Sequence, residues 1–203
     1  PAAEVHGESI FIEFNKNTID QWLQNPVLKQ LSDKYAQCYK EFCESKEWKV
    51  TVLRDARYVL MHTFAHLLIK QMSMSSGYSS SAIRERIYFG DDMSGILLYT
   101  GSADKEGSLG GLVELGNIDQ LIVLMKDAFQ EALICTNDPE CLNNIPAGNN
   151  SNGAACHSCC MVSETACENG NRMLDRGLVV PINGREEQAF FRELVNDLCQ
   201  LEA

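Results

Sequence analysis

Apolar residues recur at spacings of three and four along several stretches of the chain, which is the period of an amphipathic helix. One predicted helix begins at Pro26, and another follows Asn117, which is expected to cap it. A helix from about Val52 to Met72 is the most apolar and is predicted to be central and buried. The stretch from Gly184 to Ala203 is predicted to close the chain as a further helix. The inward positions expected in the first, second and last of these helices are Val27, Leu28, Leu31, Tyr35, Cys38, Tyr39 and Phe42; Ile118, Leu121, Ile122, Met125, Ala128, Phe129, Ala132 and Leu133; and Phe190, Phe191, Leu194, Val195 and Leu198.

Alternation of apolar and polar residues predicts strands in four other places. These are Ser9–Phe14, Ile83–Phe89, Gly95–Thr100 and a short edge strand at Leu178–Pro181. The second and third strands are separated by a glycine-aspartate turn and are expected to form a hairpin. The serine-rich stretch 73–81 is interpreted as a linker, and residues 142–153 as an exposed, mobile excursion. The pattern therefore predicts an α+β fold that is helix-rich and has a small β-sheet.

Composition is that of an ordinary globular protein, with 203 residues of which 45% are hydrophobic and 22% charged. A chain of this length forms one large domain or two small ones. No apolar run reaches the length of a membrane span, and no signal peptide is recognised before the first strand, although the chain begins with Pro1 and could be a fragment. The net charge of −11 excludes broad electrostatic wrapping of nucleic acid. Any contact with DNA is therefore expected to be local.

Six of the nine cysteines lie between Cys135 and Cys167. The Cys156-His157-Ser158-Cys159 knuckle places two thiolates on one side of a tight turn, as zinc ligation requires. Five candidates compete for four tetrahedral positions, with Cys160 and His157 in reserve; the candidates are Cys135, Cys141, Cys156, Cys159 and Cys167. Disulfide bridges are the alternative, but the adjacent Cys159 and Cys160 suit few bridge geometries. The crowding predicts a zinc site with Zn²⁺ as the cofactor, and nine mostly clustered cysteines suit a reducing compartment such as the cytoplasm.

His62 and His66 stand four residues apart on the most apolar helix, a spacing at which two imidazoles can share one metal ion. A zinc peptidase would carry a general-base glutamate after the first histidine, where this chain has Thr63. Buried structural histidines are the favoured interpretation. A metal-dependent hydrolase or nuclease using His62, His66 and acids such as Asp104 is the alternative. The glycine-rich stretch 107–112 lacks the lysine of a phosphate-binding loop and is interpreted as a packed turn.

Several motifs occur together in one order. They are His62-Thr63-Phe64-Ala65-His66-Leu67-Leu68, Gly95-Ile96-Leu97-Leu98-Tyr99-Thr100, Leu109-Gly110-Gly111-Leu112, Cys135 with Asp138-Pro139-Glu140-Cys141, Ala155-Cys156-His157-Ser158-Cys159, Cys167-Glu168, and Asn171 with Leu174-Asp175-Arg176. In this combination the chain resembles the C-terminal region of the DrmB-like component of DISARM phage-defence systems. That region is similar to the zinc-binding C-terminal domain of MrfA-type DNA-repair helicases. The resemblance extends from Gly7 to about Pro181.

The resemblance implies a four-cysteine structural zinc module that works beside a helicase motor on DNA. The family ligands carry over to Cys156, Cys159 and Cys167, while Cys135 and Cys141 compete for the fourth position. The chain has no Walker A lysine loop, so the motor is expected in a partner protein.

These observations lead to one functional hypothesis and one domain division. The chain is predicted to be a non-catalytic, zinc-stabilised accessory domain of a bacterial anti-phage or DNA-processing assembly, with a pure protein–protein scaffold as another alternative. Arg84, Arg86 and Arg176 are the candidates for contact with DNA or a partner. The division is an α+β core at 1–134, a zinc-binding segment at 135–180, and a C-terminal helix at 181–203 packed on the core.

Overall fold

A computed structural model describes residues 7–79, 81–90, 93–101, 111–148 and 150–200. Three strands, β1 (Ser9–Glu13), β2 (Ile83–Phe89) and β3 (Ser94–Thr100), form one antiparallel sheet in the order β1-β3-β2. The β2–β3 hairpin was predicted from the alternating pattern. With six helices in the described residues, this sheet confirms the predicted α+β fold.

The alternation in β2 separates two faces of the sheet. Ile83, Glu85 and Ile87 are buried, whereas Arg84 and Arg86 are exposed. The buried face packs against helix α3 (Ala56–Ser76), so that one acidic side chain lies inside this contact.

Helix α3 is the centre of the fold, as its apolar sequence predicted. It contacts β2, β3 and the neighbouring helices α2 (Pro26–Ser45) and α5 (Ile118–Leu133). Asp55 caps its N-terminus by accepting a hydrogen bond from Arg57 N, and Gly77 ends it in the left-handed conformation with φ +73°. The helix continues to Ser76, so the first half of the predicted serine-rich linker is helical. Because α3 is enclosed on all sides, its His62, Thr63 and His66 are fully buried.

The remaining helices are α1 (Lys16–Trp22), α4 (Gly111–Leu115) and α6 (Arg192–Gln200). Helices α2 and α5 begin where they were predicted to begin, and Cys38 of α2 is a core residue as expected; Cys43 of the same helix is buried too. Asn117 occupies the predicted N-cap position of α5, without a side-chain cap hydrogen bond. Helix α6 begins later than predicted, after the 3-10 turn Glu186–Gln188, and its Leu194 is exposed while Val195 is buried.

The predicted edge strand at 178–181 is wrong. A 3-10 turn occupies Arg176–Leu178, and the side chain of Asp175 accepts a hydrogen bond from Gly177 N. The amide groups of Val179 and Val180 are bonded to the carbonyl of Arg176 within this turn. A strand would need those amides for a neighbouring strand.

The excursion predicted at residues 142–153 is exposed only in part. Ser151, Asn152 and Gly153 are buried, and the Asn152 side chain bonds to the backbone of Asn171 and Leu174. One hydrophobic core contains residues of α3, the sheet and the segment 154–182. The predicted division of the chain into a core, a zinc-binding segment and a C-terminal helix stays a prediction. None of the helices in the described residues is long and apolar enough to cross a membrane.

Candidate metal centre

Four of the predicted zinc ligands meet at one point beside the end of α5. Cys135 follows the helix, Cys141 follows the turn through Asn137, and Cys156 and Cys159 lie on the knuckle. Their four sulfur atoms all lie within 4.8 Å of one another. Cys135, Cys141 and Cys159 are buried and Cys156 is half-buried. Three separate stretches of the chain thus meet at a shared centre. Two of them contribute one thiol each, and the knuckle contributes two.

The spacing of the sulfur atoms fits a tetrahedral metal site. The Sγ–Sγ distance is 3.5 Å between Cys135 and Cys156 and 3.7 Å for both Cys141–Cys159 and Cys156–Cys159. Zinc–sulfur bonds of about 2.3 Å at tetrahedral angles place the sulfur atoms about 3.8 Å apart, whereas a disulfide needs about 2.05 Å. The six cysteines from Cys135 to Cys167 are free thiols. The disulfide alternative therefore does not apply to the cluster.

Backbone and side-chain N–H groups point at these sulfur atoms. Asn137 donates from its backbone N to Cys135 Sγ at 3.4 Å and from its side chain to Cys156 Sγ at 3.3 Å. Cys156 N donates to Cys159 Sγ at 3.3 Å. Such donors stabilise thiolates and orient them toward a metal ion.

The electrostatics of the cluster favour a cation at its centre. A hydrogen bond from the Cys160 thiol lowers the pKa of Cys159 to about 5. Burial, and then the negative charge at Cys159, raise the pKa of Cys141. Four thiolates therefore repel one another unless a divalent cation lies between them, and a cluster of four cysteines is the donor set that zinc prefers.

Arg176 supports the cluster from inside the protein. Its guanidinium donates to the carbonyl oxygens of Ala132 and Leu133 at 2.8 and 3.0 Å, and to both carboxylate oxygens of Asp138 at 2.7 and 2.8 Å. Asp138 in turn accepts a hydrogen bond from Cys135 N at 3.0 Å. The side chain of Arg176 is 0% exposed. This placement argues against the predicted contact of Arg176 with DNA or a partner, because phosphate cannot reach the buried guanidinium.

Cys167 does not join the four-cysteine cluster. It lies with His62, His66 and Glu85, in a second group whose ligand atoms are within 4.8 Å of one another. The ligand set of Cys156, Cys159 and Cys167 implied by the resemblance is therefore not brought together here, and both Cys135 and Cys141 accompany the knuckle. Of the reserve ligands, His157 is exposed, and Cys160 is fully buried outside the four-cysteine group.

The charges of this second group are closely balanced. Burial lowers the pKa of His62, but Glu85 and Cys167 outweigh burial and raise that pKa to about 10. Burial raises the pKa of Glu85, but the positive charges of the two histidines outweigh burial. The pKa of this carboxyl group is therefore held well below its usual range. Glu85 was missed by the sequence reasoning. Its position between Ile83 and Ile87 on the apolar face of β2 was the available signal.

The geometry of the histidines gives no support to the predicted hydrolase or nuclease alternative. The side chains of His62, His66 and Glu85 are all 0% exposed, so a substrate has no access to them. Asp104, the acid suggested for that activity, lies outside the described residues, as do residues 107–110 of the glycine-rich stretch.

Arg84 and Arg86 lie on the outer side of the sheet. Together with Phe11 and Tyr88 they form what we term the open sheet face. Arg86 Nη1 is 3.4 Å from Glu168 Oε2, while 62% of its side chain remains exposed. The rings of Phe11 and Tyr88 meet edge to face with centroids 5.9 Å apart. The structure thus brings the two arginines together with aromatic side chains, and leaves them accessible.

Comparison with known proteins agrees with this geometry. The family model described as the MrfA Zn-binding domain matches residues 64–160, a range that contains all four clustered cysteines and ends before Cys167. The DISARM protein DrmB of Bacillus paralicheniformis is 55% identical over 197 residues, which is 96% of this chain and 35% of the relative. The chain therefore spans about a third of the length of the curated relative it matches. These findings confirm the predicted resemblance: over nearly its whole length the chain is similar to part of a DISARM DrmB protein, and its residues 64–160 are similar to the MrfA Zn-binding domain.

Proposed function

We propose that this chain is a non-catalytic, zinc-stabilised accessory domain of a bacterial anti-phage defence assembly of the DISARM kind. In this role it acts in the cytoplasm and supports the engagement of DNA together with a partner helicase. The observation that carries the proposal is the closed cluster of four cysteine sulfurs at tetrahedral spacing. The similarity to a DrmB protein supports the assignment to defence, and the MrfA match supports the link to zinc.

A closed cluster favours a structural role over a catalytic one. Four thiolates fill the tetrahedral coordination of zinc, so no position is left for a water molecule or a substrate. Structural zinc in small peptides contributes about 10–16 kcal/mol of apparent binding free energy at neutral pH. That amount is sufficient to hold the irregular segment around the knuckle in one conformation.

The open sheet face is the surface we assign to the contact with DNA or a partner. Arg84 and Arg86 are two residues apart on β2 and therefore project in the same direction. Arginine binds phosphate through paired N–H groups, and exposed aromatic rings stack on unpaired bases. The same aromatic residues also suit a protein partner, which is the specific observation that favours the scaffold alternative.

The first test concerns zinc. The chain with Cys141→Ser is expected to lose one equivalent of zinc relative to the unchanged chain, measured by elemental analysis after gel filtration. Cys43→Ala serves as the control, because Cys43 is a buried cysteine of α2 outside the cluster. The proposal fails if the unchanged chain carries no stoichiometric zinc, or if its clustered thiols are found oxidised in pairs.

The second test concerns the open sheet face. A variant with Arg84→Gln and Arg86→Gln is expected to bind single-stranded and duplex DNA at least about tenfold more weakly, because two phosphate contacts are lost. Arg192→Gln is the control, since Arg192 is exposed on α6, away from the sheet. Unchanged DNA binding combined with lost association with the helicase would favour the scaffold alternative. Unchanged binding of both would refute the assignment of this face.

A further inference from the structure

The second group of ligand atoms comes from three distant parts of the chain. His62 and His66 lie one turn apart on α3, Glu85 lies in the middle of β2, and Cys167 lies in the segment after the knuckle. The four residues are between 0% and 8% exposed. A backbone hydrogen bond from Glu85 N to Ala166 O fixes the strand beside the segment that carries the cysteine. Four side chains of metal-binding type are thus enclosed at one point in the protein core.

The Nδ1 atom of each imidazole faces a backbone carbonyl oxygen. His62 Nδ1 lies 3.2 Å from the carbonyl oxygen of Met173, and His66 Nδ1 lies 2.9 Å from that of Cys160. A carbonyl oxygen only accepts hydrogen bonds, so each Nδ1 must carry the proton. This arrangement is the one by which proteins orient metal-binding histidines, with Nδ1–H bonded to a carbonyl and the Nε2 lone pair free for the ion.

The inner nitrogens converge on the same acceptors. His62 Nε2 is 2.8 Å from Glu85 Oε1 and 3.2 Å from Cys167 Sγ, and His66 Nε2 is 3.2 Å from Glu85 Oε1. With the proton on Nδ1, a neutral imidazole directs the lone pair of its Nε2 at the carboxylate of Glu85 or the thiolate of Cys167, and these negative groups repel it. The group therefore needs either two additional protons or one divalent cation, and each choice balances the two negative charges.

Two observations favour the cation. Glu85 Oε2 is buried and, within the described residues, has no hydrogen-bond partner; protons on the imidazoles reach only Oε1, whereas a cation bound to Oε1 also lies near Oε2 of the same carboxylate. Cys167 Sγ accepts hydrogen bonds from the backbone N of Asn169 and of Asn171, both at 3.3 Å. A sulfur that receives two amide donors has the environment of a metal-bound thiolate, as at the first cluster.

We propose that His62, His66, Glu85 and Cys167 form a second, structural zinc site. Two imidazoles, a thiolate and a carboxylate are ligands that zinc accepts in tetrahedral geometry. The ideal edges of such a site are about 3.3 Å between nitrogen and oxygen and about 3.5 Å between nitrogen and sulfur. The His66–Glu85 distance of 3.2 Å agrees with this, while the His62–Cys167 distance of 3.2 Å and the His62–Glu85 distance of 2.8 Å are somewhat shorter. All four positions are filled by protein, and the site is closed to solvent. Its role is to join α3, β2 and the C-terminal segment.

This site shares no ligand with the four-cysteine cluster, although the two are neighbours. The carbonyl of Cys160, next to the ligand Cys159, accepts the hydrogen bond from His66 Nδ1. The family match also includes only two of the four residues, His66 and Glu85, because it begins at residue 64 and ends at residue 160.

Metal content is the first readout. The full chain, purified with zinc present and freed of loosely bound ions, is expected to carry two zinc ions. His66→Gln and Cys141→Ser are each expected to retain one, and the double variant none. His157→Gln is the matched control, because His157 is an exposed histidine outside both groups, and it is expected to retain two.

X-ray absorption at the zinc edge provides a readout on the unchanged chain, and so does not depend on whether a variant folds. Two occupied sites give an average of about 2.5 sulfur ligands and about 1.5 nitrogen or oxygen ligands per zinc ion. One zinc ion per chain with about 4 sulfur ligands would overturn the second site and leave the first intact. One zinc ion with about 1 sulfur ligand would support the second site and contradict the four-cysteine zinc cluster instead.

Discussion

Arg176 places a buried positive charge directly behind the four-cysteine cluster. Its guanidinium connects the carbonyl end of α5 to Asp138, which fixes the backbone at Cys135. The residue therefore links the last turn of a helix to the first ligand of the cluster.

Replacing this charge is predicted to destabilise the fold. Arg176→Met keeps much of the side-chain volume but leaves Asp138 and two carbonyl oxygens without their donor. We expect a loss of about 3 kcal/mol in the free energy of unfolding, measured by urea denaturation.

The control for this prediction is Arg192→Met. Arg192 pairs with Glu187 at 2.8 Å, but the two side chains are 42% and 73% exposed, so a change within about 0.5 kcal/mol is expected. A similarly small loss for Arg176→Met would show that the buried pair contributes little.

The sequence analysis identified most of the side chains that form the two groups of ligand atoms, but it assigned them to groups correctly only in part. The knuckle and its two upstream cysteines were recognisable because their spacing is local. Cys167 was grouped with the knuckle because it is near in sequence, whereas it lies beside His62, which is 105 residues away. Contacts between residues so far apart in sequence leave no periodic pattern in the chain. Only the folded structure reveals them.

Helices and strands were predicted more accurately than single contacts. Strand β2 and the bounds of α5 agree with the pattern because each has one buried face, and burial on one face produces the period that the pattern detects. Residues 178–180 are all buried, so this apolar run did not distinguish a strand from a turn. Capping by Asp175 decides in favour of the turn.

The two upstream ligands and the knuckle are predicted to depend on zinc more than the sheet does. In Cys135→Ser the amides of Cys141 and Cys160, which bond to Asn137 and Cys156, are expected to exchange hydrogen at least about 100-fold faster. The amides that pair β2 with β3 are expected to change much less, because their partners lie within the hairpin; the amide of Glu85, which bonds to Ala166 O, is not among them. Exchange followed by mass spectrometry or NMR measures both.

A different exchange pattern would contradict this prediction. Equal loss of protection in the knuckle and in the hairpin would show that the cluster and the sheet unfold as one unit. Cys43→Ala is the comparison, since it alters a cysteine of α2 that is remote from the knuckle in sequence and outside the ligand groups.

The whole molecule is acidic, with a net charge of −11, and its exposed arginine pair on the open sheet face is a local exception. In the proposed contact with DNA, repulsion between the acidic chain and DNA limits binding to the few phosphates that this face reaches. We expect the logarithm of DNA affinity to fall with the logarithm of salt concentration with a slope of about −2, because each phosphate contact contributes about −0.9.

Titration of DNA binding between low and physiological salt measures this slope. A slope steeper than about −5 would mean that positive charge outside the open sheet face dominates the contact. The variant with Arg84→Gln and Arg86→Gln should reduce the slope toward zero.

The order in which the ligands leave the ribosome has a consequence for how the molecule is made. Helix α3 and strand β2 are synthesised well before Cys167, and during that interval two histidines and a glutamate destined for the interior lack their fourth neighbour. A product terminated before that cysteine retains two imidazoles and a carboxylate in the middle of its core without the thiolate that completes the group. We expect such a product to be degraded faster than the full chain.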